Sequence, residues 1–347
     1  MSLIYPHIFK GNFKIEIMKH SFLVALAILS ISTFWGCQNE LDINDSGNLV
    51  PKTVDQDASL PSITVNGAQL HSEAFGNPAD PMIVVLHGGP GADYRYLLNC
   101  KAFADEGYRV VFYDQRGAGL SQRFPKSHYT MQVLYDDLNA VVSYYRTSPD
   151  QKVFLLGHSW GAMLASAYIN QYPSAIDGAI LGEPGGLIWK DVEDYITRSR
   201  KFKYFGETIN DAVYADQFIT GKADQHAILD YKFMMLTSQE SGDIGNEGSL
   251  REWRGGAVTF DAYYEIGDKE KPNWTKNLNT YTKKVLFIYS ANNKAYGLSH
   301  AQKVSSAFPN VQLFKTENAG HDMLSFPTGW SNTYPVILDY LNAIGPN

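Results

Sequence analysis

Three short apolar runs that each end in glycine constrain this chain most: "MIVVLHGGPG" (82–91), "VFLLGHSWG" (153–161) and "AILGEPGG" (179–186). A run with no polar alternation has no face to offer water, so it reads as a strand covered on both sides. "YRVVFYD" (108–114) is a fourth such run, and "KKVLFIYSANN" (283–293) and "VQLFKTENAGHD" (311–322) supply two late ones. Between the runs the spacing turns helical: around Tyr94–Glu106, in "LYDDLNAVVSYYRT" (134–147), in "AMLASAYINQYP" (162–173) up to Pro173, and in "SHAQKVSSAF" (299–308). A final helix is predicted over Tyr334–Ala343, and an Asn66-Gly67 turn makes "SITVNGAQLHSEAFG" (62–76) a hairpin. Strand and helix alternating in this way predict an α/β chain with a mostly parallel, doubly wound sheet.

From Gly186 to about Thr280 the alternation stops. Charged, aromatic helical stretches such as "KDVEDYITRSRKFKYFG" (190–206) and "HAILDYKFMML" (226–236) flank the loop "TSQESGDIGNEGSL" (237–250). This segment reads as a helical lid inserted between the sixth and seventh strands, over the sheet edge where such folds place their sites. The expected organisation is core over 62–186 and 281–347, and cap over 187–280.

The N-terminal part has another character. Met18, the basic Lys19-His20, an apolar stretch from Phe22 to Trp35 and then Gly36-Cys37 read as a signal peptide, too short to span a bilayer. Residues 1–17 would be an upstream extension, and a small residue before Cys37 resembles a bacterial lipobox. Cys37 would then carry a lipid anchor to the membrane, the polar stretch 37–61 would be a tether, and the protein would be an exported outer-membrane lipoprotein on the periplasmic or cell-surface face. With only two cysteines, an acylated Cys37 leaves Cys100 without a partner in the chain for a disulfide. A formal net charge of -7, with no Lys/Arg stripe, excludes a nucleic-acid partner.

The chemistry concentrates where the runs end. Gly157-His158-Ser159-Trp160-Gly161 follows a strand and opens a helix of small residues. The glycines allow a tight turn that lifts the Ser159 hydroxyl into the open at a helix N-terminus. A serine nucleophile needs a base at the same sheet edge, and His321 follows the last strand, late in the chain. The loop His87-Gly88-Gly89-Pro90-Gly91 exposes backbone N–H groups there, so Gly89 and Trp160 are the expected oxyanion donors. Two side chains compete to orient the imidazole: Glu183, at the carboxyl end of the strand next to that of the nucleophile, and Asn293, a neutral alternative after the seventh strand.

Together "HGGPG", "DQRGAGLS" (114–121) and "GHSWG" resemble the proline iminopeptidase family of α/β-hydrolases, over about residues 62–186 and 282–345. The resemblance implies a serine aminopeptidase that releases N-terminal residues, proline among them, from short peptides. It also implies that Asp114-Gln115-Arg116-Gly117 buttresses the site without reacting. The family's aspartate position reads Asn293 here, and its tryptophan-and-glutamate motif for amine binding is not found in the lid. Two other readings stay open: an esterase, lactonase or amidase acting on a small-molecule substrate, and a non-catalytic binding lipoprotein. No metal or organic cofactor is expected, since "GGPGADY" lacks the Lys-Ser/Thr of a phosphate-binding loop.

Overall fold

A computed structural model describes residues 49–199, 224–237 and 244–345. The leader, Cys37 and the first part of the expected tether lie outside the described residues. Among the described residues eight strands run in chain order: β1 (Ser62–Val65), β2 (Ala68–Phe75), β3 (Met82–Leu86), β4 (Arg109–Tyr113), β5 (Val153–His158), β6 (Gly178–Gly182), β7 (Val285–Ser290) and β8 (Val311–Thr316). They form one sheet in the order β1-β2-β4-β3-β5-β6-β7-β8. The hairpin strand β1 pairs antiparallel with β2, which pairs antiparallel with β4, and every later pairing is parallel.

The apolar runs have the burial their composition requires. Every residue of β3, β5, β6 and β7 is buried. Because side chains alternate across a pleat, each strand feeds two cores. Val84, Leu86, Leu155, Leu181 and Phe287 pack on one face, with the Met131–Tyr145 and Trp160–Gln171 helices. Ile83, Val85, Leu156, Ile180 and Ile288 pack on the other, with the segments Tyr94–Glu106 and Pro327–Ile344. The sheet is therefore covered on both sides. Since β4 and β5 flank β3, the winding reverses at β3, and a crevice opens at the carboxyl ends of β3 and β5.

Three local expectations shift. The Tyr94–Glu106 segment is a run of 3-10 turns, started by the Asp93 side chain accepting from the Arg95 N–H and closed by Gly107 at φ 83°. The last helix begins at Pro327, not near Tyr334: Pro327 occupies its first turn, where no N–H is needed, and Pro335 lies on its exposed side. The stretch read as a tether is mostly exposed where it is described, but it is buried against the core at one point. Thr53 and Val54 are buried, and the Val54 N–H donates to Leu120 O at 2.8 Å, because an apolar side chain there gains by leaving water.

The insertion leaves and rejoins the core at one seam. Trp189 N–H donates to Pro272 O at 3.0 Å, and Trp274 N–H to Leu187 O at 2.9 Å. Its described helices are Trp189–Ser199, Gln225–Thr237 and Ala257–Glu270. The third was not anticipated from the sequence. Asp230, fully buried, anchors the insertion: Arg123 Nε (3.0 Å), Arg254 Nε (2.7 Å) and the Ala257 N–H (2.9 Å) all donate to it. At its base Gly256 N–H donates to Gly91 O at 2.6 Å, and a Cβ on Gly256 would lie 2.5 Å from Gly117 O. Only bare backbone fits between those two core loops.

Candidate active site

Ser159 sits at the tip of the turn from β5 into the Trp160–Gln171 helix, with φ 54° and ψ -118°. A non-glycine residue there is strained, and the surroundings hold it in place. Its N–H donates to Gly182 O at 2.7 Å, which ties the turn to β6. The helix passes so close to β3 that a Cβ on Gly161 would lie 2.0 Å from Leu86 O, so glycine is required.

The His87–Gly91 loop lies alongside. His87 is fully buried, and burial lowers its pKa despite the nearby Asp114 carboxylate. Gln115 N–H donates to its Nε2 at 2.9 Å, so Nδ1 carries the proton and donates to Gly88 O at 2.9 Å. The loop's histidine is thus a structural post. Gln115 also donates from its side chain to His87 O (2.9 Å) and accepts from Trp160 Nε1 (3.1 Å), bracing the loop against the elbow. Asp114 accepts from the Tyr94 and Leu120 N–H groups at 2.9 and 2.8 Å, and Arg116 forms a two-pronged pair with Asp137 at 2.7 and 2.9 Å. These are supporting contacts.

Glu183, itself at φ 44° just after β6, is fully buried. Its Oε2 lies 2.6 Å from His321 Nδ1 and accepts from Asn293 Nδ2 at 2.7 Å, while Oε1 accepts from both the N–H and the hydroxyl of Ser290 at 2.7 Å. Asn293 therefore stands behind the carboxylate. Its amide also reaches the Tyr195 hydroxyl at 3.0 Å, and its carbonyl accepts from Tyr296 N–H at 3.2 Å. The Asp322 carboxylate pairs with the Asn246 side chain, with its other oxygen 3.8 Å from His158 Nε2. His158 was not singled out for any role in the sequence, although it stands beside the serine; nor were Tyr195 and Ser290, which no local signal marks.

Ser159, His321, Gly89 and Trp160 all line one cavity of about 120 Å³, whose wall is otherwise dominated by Trp189, Tyr195, Phe260, Tyr263 and Tyr264. Among the described residues, no Asp, Glu, Lys or Arg lines it. His158, His321 and Asp322 present nitrogen and oxygen atoms within 4.8 Å of one another. His158 Nε2 lies 2.8 Å from His321 O, His321 Nδ1 is paired with Glu183, and one Asp322 oxygen accepts from Asn246 while the other lies 3.8 Å from His158 Nε2.

A sheet wound this way, with a strained serine at the β5 elbow and a carboxylate-paired histidine after β8, defines an α/β-hydrolase. The chain belongs to that family: the family described as alpha/beta hydrolase fold matches residues 81–327. It is similar to the proline iminopeptidase PfmaB of Pestalotiopsis fici, 25% identical over 273 residues that span 75% of this chain and 92% of that protein. It is also similar to a proline iminopeptidase of Thermoplasma volcanium, 39% identical over 105 residues, 30% of this chain and 34% of that one. The solved proline iminopeptidase of Mycobacterium smegmatis has the same fold, with a TM-score of 0.54 at 18% identity over 82% of this chain and 98% of that chain.

Proposed function

We propose that this protein is a serine hydrolase that cleaves its substrate through an acyl-enzyme. The observation that carries the reading is the Glu183–His321 pair, set beside the same cavity as the strained Ser159. Ser159 Oγ attacks the substrate carbonyl and passes its proton to His321 Nε2. Glu183 holds Nδ1–H in place and stabilises the imidazolium. The tetrahedral oxygen accepts from the Gly89 and Trp160 N–H groups, the latter at a helix start where no intrahelical partner exists. His321 returns the proton to the leaving group, and water then repeats the sequence to free the acid. Fluorophosphonate labelling tests it: modification of Ser159, abolished in Ser159→Ala, is expected, and no labelling of the folded protein would refute it.

At the level of substrate, we read the protein as an aminopeptidase that releases an apolar N-terminal residue of the proline type. Similarity to two proline iminopeptidases and the apolar cavity wall support this. A second reading, an esterase for uncharged acyl groups, is favoured by the lack of a carboxylate among the described lining residues to hold a free amine. Prolyl arylamides compared with p-nitrophenyl esters of apolar acids separate the two. A higher kcat/KM on the arylamide supports the peptidase, and activity on esters alone rejects it. The Gly36-Cys37 leader further supports lipid anchoring at the outer membrane, which palmitate labelling of wild type and Cys37→Ser would test.

A further inference from the structure

His158, the residue between Gly157 and the serine, does not line the substrate cavity and instead bonds to two other loops. It is 1% exposed, with Gly182 packed against its ring. Its Nε2 lies 2.8 Å from His321 O, which can only accept, so Nε2 carries the proton. Nδ1 must then accept, and the Tyr96 hydroxyl stands 2.9 Å from it. That hydroxyl in turn accepts from the Gly88 N–H at 2.6 Å. The polarity of the chain is fixed throughout: Gly88 N–H to Tyr96 O–H to His158, and His158 N–H to His321 carbonyl. Burial, aided by the neighbouring His321, lowers the His158 pKa to about 3, which keeps the ring neutral, and the two bonds select its tautomer.

We propose that His158 is a positioning residue that couples the oxyanion loop to the backbone of the base. Three separate loops must agree for the reaction proposed above: the one with Gly89, the elbow with Ser159, and the one with His321. Glu183 fixes the imidazole ring of His321 at one nitrogen. The bond from His158 fixes the main chain from which that ring is hung, and Tyr96 carries the same constraint to Gly88, one residue before the oxyanion donor. The ring of His158 also packs against those of Tyr96 and His321, at centroid distances of 5.5 and 4.7 Å. The inference rests on the serine-hydrolase reading and deepens it.

The test is the rate at which a fluorophosphonate modifies Ser159 in the full chain, resolved into kinact and the apparent dissociation constant of the reagent, with thermal melting as a check on folding. His158→Phe keeps a ring but removes both bonds. It should lower kinact about 10- to 100-fold, the scale set by a buried acceptor left unpaired, and change the dissociation constant less than about threefold. His158→Gln, which can still donate to His321 O, should recover at least a third of the lost rate on a logarithmic scale. Tyr96→Phe should lower kinact at least threefold, and with His158→Phe the two losses should not multiply, since both break one chain. Should His158→Phe fail to fold, the Gln and Tyr96→Phe variants decide on their own. A folded His158→Phe with kinact within about threefold of wild type, or losses that multiply fully in the double variant, overturns the inference. Failure of the wild-type protein to label would instead remove the serine-hydrolase reading itself.

Discussion

Glu183 and His321 are 138 residues apart in the chain, yet Glu183 Oε2 lies 2.6 Å from His321 Nδ1. The carboxylate comes from the turn after β6, not from the loop after β7, which presents Asn293 to the back of the same carboxylate. Replacing Glu183 by Gln keeps the shape and removes the charge that balances an imidazolium. Turnover should fall about 10³- to 10⁴-fold, as for an Asp→Asn change in a comparable triad. A loss smaller than tenfold in kcat of the folded variant would show that the pair does not serve the reaction.

Asn293→Asp should harm the protein rather than repair it. The amide nitrogen that donates to Glu183 at 2.7 Å would become a second carboxylate oxygen, and two such groups cannot both ionise at that separation. The pair would retain a shared proton near neutrality, so activity should drop at pH 7 and recover in part as the pH is raised. The kcat/KM profile against pH reads this directly. An unchanged profile would contradict it.

Asp230→Ala would leave Arg123 and Arg254 without their shared partner in a buried setting. Breaking such a pair by removing one member costs about 3–5 kcal/mol, so a marked fall in melting temperature is expected. Limited proteolysis should then cut first within the inserted segment. Asp230→Asn, which still accepts hydrogen bonds, should lose less.

Burial raises the Asp322 carboxyl from 3.8 to about 6, against the opposing pull of His321 and of the Asn246 amide. A folded-state pKa above the unfolded value means that the folded form binds the proton more tightly. The resulting stability is fully present below about pH 4 and is lost as pH rises through about 6. Asp322→Asn should therefore flatten the melting-temperature profile between pH 4 and pH 7. A profile as steep as that of wild type would rule this out.

The sheet was readable because β3, β5, β6 and β7 are buried on both faces and show it as unbroken apolar runs. The glycines of the elbow and of the His87–Gly91 loop were readable because nothing larger fits there. The contacts of Asn293 were not, since its partner depends on how β6 and β7 align across the sheet: Gly182 pairs with Ile288, which puts Glu183 beside Ser290 and Asn293. The Ala257–Glu270 helix escaped because Gly267 lies within it and its apolar residues form no clean stripe. Tyr96 and Asp230 escaped for a simpler reason. A tyrosine on a run of 3-10 turns and an acid on an inserted helix look ordinary until a distant partner is placed against them.

Gly91 and Gly256 meet backbone to backbone at the base of the insertion, with Gly117 O on the other side of Gly256. A surface made only of main chain offers mutation little to adjust: a larger residue at Gly91 or Gly256 would collide with peptide oxygen, and there is nothing to trim. Change in the cavity is thus easiest at its aromatic wall, while the root of the insertion is held by the same loop that carries Gly89.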